Sequence, residues 1–182
     1  MLKATASTWE NTPLNIQHGI VEDMLLLSEK HKKLGLQMLD VLVMHEFFYS
    51  DPDYEQLSSR LKHRLITFLK QEDKRELTRL TASLCGLILA KDAQKDRKDA
   101  AFEDGVSALL SDLHYKNKFD VFVDILYNIT YRYQPLLARF ASSNLSLLNS
   151  LYGTLKVKKK YSSTDQSLNL KKLKKLKKLS SF

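Results

Sequence analysis

The sequence predicts an all-α protein: a compact multi-helix bundle of about six or seven helices, followed by a basic amphipathic C-terminal tail. Three observations carry that prediction. Apolar residues recur at three- and four-residue spacing along most of the chain. Strand-like alternation never lasts more than a few residues. With 5 Gly and 3 Pro in 182 residues, turn formers are too scarce for a hairpin-rich fold, and no glycine-rich phosphate loop is present.

Asn11-Thr12-Pro13 is a helix-start signal, with Thr12 as N-cap and Pro13 at the first helical position, where its missing N–H costs nothing. Ile20, Met24, Leu27, His31 and Leu34 then share one face of a helix reaching Leu34, with Gly35 as its stop or kink. From Leu36 to Tyr49 apolar residues fall on every side of a helix, which predicts the central, surrounded element of the core. Ser50-Asp51-Pro52 opens a third helix with Leu57, Leu61, Leu65, Phe68 and Leu69 on one face. A polar joint at Gln71-Glu72-Asp73 precedes a fourth, striped by Leu77, Leu80, Leu84, Leu87 and Ile88.

Between Lys91 and Asp104 mixed charge without apolar period reads as a solvated helix end or a loop. Phe102, Val106, Leu109, Leu110 and Leu113 mark a fifth helix. Phe119, Phe122, Val123, Leu126, Ile129 and Tyr133 mark a sixth, which Pro135 should end or kink. Ser142-Ser143-Asn144 caps a seventh that runs to Leu155.

Charge divides the chain into a helical domain, 1–155, and a basic Lys/Leu-rich tail, 156–182. The 29 basic and 21 acidic residues give a net +8, yet the tail alone holds ten Lys and one Asp. The remaining 155 residues are therefore close to neutral, and whole-chain basicity says nothing about them. In the tail, 161–167 is a polar linker, and Leu170, Leu173, Leu176 and Leu179 alternate with lysine pairs. At 100° per residue the leucines cover about half the circumference of a helix and the lysines the rest, so the segment reads as a broad amphipathic helix that moves independently.

Lys156, Lys158, Lys159, Lys160, Lys171, Lys172, Lys174, Lys175, Lys177 and Lys178 are thus candidate binding residues for an anionic surface or partner. Near an anionic bilayer each Lys contributes roughly 1 kcal/mol; on nucleic acid the same charges bind phosphate without reading bases; an acidic groove on a protein is a third target.

In the body, Tyr127 and Tyr131 share a face four residues apart with Arg132 and Arg139 nearby, a candidate interaction patch because Tyr and Arg favour interface hot spots. Arg60, Lys62, His63 and Arg64 form a basic cluster on the third helix.

Neither Glu-x-x-His nor His-x-x-x-His occurs, although His18/Glu22 and Asp120/Asp124 lie four apart. Gly-x-Ser-x-Gly is absent, and the lone Cys85 sits in an apolar stretch as a small buried hydrophobe. No metal or cofactor is expected. One thiol excludes a disulfide framework and fits the cytoplasm or another reducing compartment. Met1–Leu14 lacks the apolar region of a secretory signal, and no apolar run reaches the roughly 18 residues of a membrane span. The expected function is a non-catalytic protein–protein interaction module, an adaptor or scaffold, able to oligomerise. The alternative is a nucleic-acid-associated helical protein, and an enzyme without a recognisable motif ranks third.

Overall fold

A computed structural model describes residues 12–45, 48–49, 54–71, 74–97, 99–116, 118–138, 140, 146, 148–150, 153, 171–176 and 178. Among them the secondary structure is entirely helical, in six long helices: α1 Leu14–Lys30, α2 Lys32–Met44, α3 Tyr54–Gln71, α4 Arg75–Gln94, α5 Ala100–Tyr115 and α6 Phe119–Arg132. Each meets its chain neighbour or next neighbour: α1 with α2 and α3, α3 with α4 and α5, α5 with α6. The predicted seventh helix is seen where it is described, with 146, 148–150 and 153 helical and Leu148 buried, while its cap cluster at 142–144 lies outside the described residues.

The centre of the bundle is α4, which packs against α2, α3 and α6. Leu77, Ala82, Leu84, Cys85, Leu87, Ile88 and Leu89 are buried around its circumference. This corrects the expectation that the helix beginning at Leu36 would be central. In α2 the buried residues Gly35, Leu36, Leu39, Leu42 and Val43 occupy one side, and its other apolar side chains face solvent. All-round hydrophobicity permits burial but does not require it.

Two further boundaries differ from expectation. Pro13, not Thr12, stands at the α1 N-cap, and the start is held by the Gln17 side-chain amide donating to the Thr12 carbonyl at 3.0 Å. The first break falls at His31, whose backbone leaves the helical region, so Gly35 lies inside α2. Its missing side chain serves packing: a Cβ there would stand 2.4 Å from Ser28 Cα, so α1 and α2 touch backbone to backbone.

The charge-dense stretch is mostly helix ends: α4 runs on to Gln94 and α5 begins at Ala100, with a turn at 95–96 between them. Asp96 takes φ 55°, a left-handed conformation that Asp tolerates, and Asp99 then accepts the Phe102 amide at 2.9 Å at the start of α5. Pro135 acts as predicted: α6 stops at Arg132 and a separate turn, 134–138, brings Leu136 and Leu137 into the core. Beyond it Phe140 packs on Phe122 with ring centroids 5.8 Å apart.

Candidate functional site

Among the described residues the body holds two buried charge clusters. In the first, Lys62 of α3 reaches between two carboxylates, its Nζ 2.7 Å from Asp92 Oδ2 and 2.8 Å from Asp99 Oδ2. The Tyr54 hydroxyl donates to the other Asp92 oxygen, and the Arg97 guanidinium lies over the Tyr54 ring at 4.5 Å. These side chains line a cleft of about 410 Å³ at the junction of α3, α4 and the start of α5. Burial and the neighbouring Asp92 push the Tyr54 phenol far above its ordinary value, so it stays a donor. Partial burial works to raise Asp99, but hydrogen bonds from Lys62 and the Phe102 amide outweigh it and hold this carboxyl below the usual range. Lys62 answers both aspartates, while Arg97 stacks on Tyr54 and donates to the Tyr49 carbonyl. The arrangement clasps three helices and presents no activated base or nucleophile.

The second cluster centres on Asp124, buried in α6 among Phe122, Val123 and Ile125. It accepts Arg75 Nε, has Arg79 Nη2 at 3.3 Å, and pairs with Lys172 Nζ at 2.5 Å. Burial tends to raise its pKa; Arg75 and Lys172 pull it below the ordinary value. The sequence offered a signal for this residue, a carboxylate inside an apolar run, but the four-residue spacing pointed to Asp120 as its companion. Asp120 is exposed, whereas Asp124 is buried.

Lys172 is the link to the tail. Residues 171–176 are helical, with Leu173 and Leu176 buried as part of the core and the Lys172 ammonium 5.2 Å from the centre of the Tyr127 ring. The structure thus brings together two candidate sites that the sequence kept apart, the tail lysines and the Tyr127/Tyr131 pair, whose rings lie 6.3 Å apart. Tyr131 is 73% exposed, and Arg132, Lys171, Lys174, Lys175 and Lys178 are exposed as well. Lys172 already has Asp124 as its anion. Lys156, Lys158, Lys159 and Lys160 lie outside the described residues, as do the side chains of Lys177 and Arg139.

The basic cluster on α3 is divided among partners. Arg60 pairs with Glu22 and Arg64 with Glu29, both on α1, while Lys62 is buried in the first clasp and His63 is exposed. Burial raises the Cys85 thiol well above its ordinary value, which removes its nucleophilicity near neutral pH. Among the described residues no group of three or more His, Cys, Asp or Glu is placed to hold a metal ion. Among them also, no helix is long and apolar enough to cross a membrane.

A family model described as DNA-PKcs, CC5 matches residues 1–160, the six helices included. No curated protein and no solved structure matches the chain.

Proposed function

The chain belongs to the DNA-PKcs CC5 family, and on that premise we propose that it is a non-catalytic helical interaction module, an adaptor or scaffold element that binds protein partners and uses its basic tail to meet an anionic surface. The observation that carries this reading is the placement of segment 171–176. Leu173 and Leu176 turn into the body while Lys171, Lys174, Lys175 and Lys178 are exposed, a cationic face carried beside Tyr127, whose ring neighbours the exposed Tyr131. Fixed cations lose less conformational entropy on binding than a disordered lysine tail does. The buried charges of the body are consumed in ion pairs that join helices, which supports a binding role over a catalytic one.

Affinity capture with the full chain beside a K171Q/K174Q/K175Q/K178Q variant, each with and without nuclease, tests the reading. Recovery of a defined set of proteins that survives nuclease, with part of it lost in the variant, is the expected result. Disappearance of everything on nuclease treatment would instead favour the nucleic-acid-associated alternative, in which the lysines neutralise phosphates without base readout.

A further inference from the structure

The docked part of the tail is a hexapeptide whose sequence occurs twice. Residues 171–176 read Lys-Lys-Leu-Lys-Lys-Leu, and residues 174–179 read the same six in the same order. A helix repeats under a screw motion, so advancing the tail by about 4.5 Å along its axis with a turn of about 60° sets each residue where the one three places before it lay. Lys175 then takes the place of Lys172, and Leu176 and Leu179 take the two places where Leu173 and Leu176 are buried. Leu179 itself lies outside the described residues.

The body makes few demands on the segment. Arg75 and Arg79 of α4 stand at Oδ2 of the buried Asp124, and its Oδ1 takes the tail lysine, whose ammonium also lies by the Tyr127 ring. Two leucines three residues apart, each 2% exposed, complete the contact. Lysine is a compact charge on a flexible stem, so Lys175 answers Asp124 as Lys172 does. Register in a helical contact is fixed where a sequence breaks its own repeat, and from Leu170 to Leu179 this one has no break. The repeat does end on both sides. One step back would set Asn169 against Asp124 and leave the buried carboxylate one cation short. A second step forward would set Phe182 in the place of Leu176, a ring in a site filled by a leucine.

We propose that the tail docks in two registers, seating either 171–176 or 174–179 on the site at Asp124 and Tyr127, and exchanges between them by a three-residue slip. In the first register Lys171, Lys174 and Lys175 are exposed; in the second Lys174, Lys177 and Lys178 take their places. The face offered to an anionic partner is therefore cationic in both. A partner holding those lysines can shift by about 4.5 Å along the tail axis, with Asp124 and both leucine sites covered at either end of the movement. The inference concerns how the segment seats and holds whatever the lysines bind.

Leucine-to-glutamate changes in the full chain separate the registers, because Leu173 serves the first alone, Leu179 the second alone, and Leu176 both. The urea midpoint is expected to fall by the full contribution of docking in Leu176→Glu and in the double variant Leu173→Glu/Leu179→Glu, and by less than half of that shift in Leu173→Glu or Leu179→Glu alone. A photoreactive benzoylphenylalanine in place of Tyr127, with the attached tail residue identified by mass spectrometry, reads the register directly. Attachment is expected at two places three residues apart, around Lys172 and Lys175, the first lost in Leu173→Glu and the second in Leu179→Glu. A midpoint for Leu173→Glu as low as that for Leu176→Glu, or attachment around Lys172 alone, overturns the proposal in favour of one fixed register. A Leu176→Glu midpoint equal to that of the unaltered chain overturns it as well, since neither hexapeptide would then be held. Partner capture tests the interaction-module reading separately, and its result does not depend on these.

Discussion

Gly86 of α4 lies so close to Ile129 of α6 that a Cβ on the glycine would stand 2.5 Å from the Ile129 carbonyl oxygen. The central helix therefore meets α6 through bare backbone, and the obstacle to any larger residue is backbone that cannot rotate away. Gly86→Ala is expected to lose about 1–3 kcal/mol despite alanine's better helix propensity. Gly105 provides the contrast, since its nearest neighbour would be the Ile66 Cδ1 at 4.0 Å. Gly105→Ala should gain about 0.5–1 kcal/mol from propensity alone. Urea unfolding of both variants checks the pair, and a neutral Gly86→Ala would mean that α4 and α6 separate more easily than their contact implies.

Lys62 gives a second prediction, because it answers two carboxylates at once and one of them, Asp92, is buried. Lys62→Met keeps the length of the stem but leaves Asp92 in a site built for its charged partner. The expected loss is about 3–5 kcal/mol. Adding Asp92→Asn removes the orphaned charge and should recover part of that loss, a non-additivity that a double-mutant cycle measures directly. Strict additivity would show that Tyr54 and Arg97, not Lys62, carry the cluster.

How much of this was legible beforehand varies with the physics. The helices were readable because Leu57, Leu61, Leu65, Phe68 and Leu69, for example, declare one face by period alone. The identity of the central helix was not. Leu34, Met38, Val41 and Met44 are as apolar as the buried Leu36 and Leu39, and only the placement of α4 decides which row is covered. Gly35 looked like a terminator because a glycine's tertiary role, clearing space for Ser28, leaves no local trace. The ion clusters were hidden for the same reason, since Lys62 and Asp99 are 37 residues apart and Lys172 and Asp124 48. The spacing of charges along one helix carried no signal for either.

Acid should weaken the fold through Asp124 and Asp99, both held below the ordinary carboxylate value in the native state. A carboxyl with a depressed folded pKa stabilises above its unfolded value of about 3.9, and that contribution is lost as pH falls through the folded value. Stability is therefore expected to be level near neutrality and to drop steeply below about pH 4. Asp124→Asn removes the group that titrates, so its deficit against the unaltered chain should be largest at neutral pH and shrink in acid. Urea midpoints for the two proteins across the acid range test this; a deficit that stays constant would show that Asp124 acts by packing, not charge.

The docked tail supplies the last prediction. Leu173 and Leu176 are buried against the body and Lys172 covers Asp124 and the Tyr127 ring, so release of the segment wets all three places at once. Two buried leucines contribute about 1.5–3 kcal/mol each and the entropy of ordering the segment offsets most of that, so the expected net loss is small, on the order of 1 kcal/mol. Ending the chain at Leu155 should cost about this much. The truncated chain is expected to unfold cooperatively still, because α4 keeps its contacts with α2, α3 and α6, and Arg75 remains on Asp124. Leu173→Glu with Leu176→Glu in the full chain should reproduce the loss without removing a single lysine, which separates burial from charge. Urea denaturation followed by circular dichroism and tyrosine fluorescence reads both. Coincident transitions with a lower midpoint would fit a body that folds alone and a segment that clamps it, whereas transitions that differ between the two probes in the truncated chain would make 171–176 an integral layer of the core.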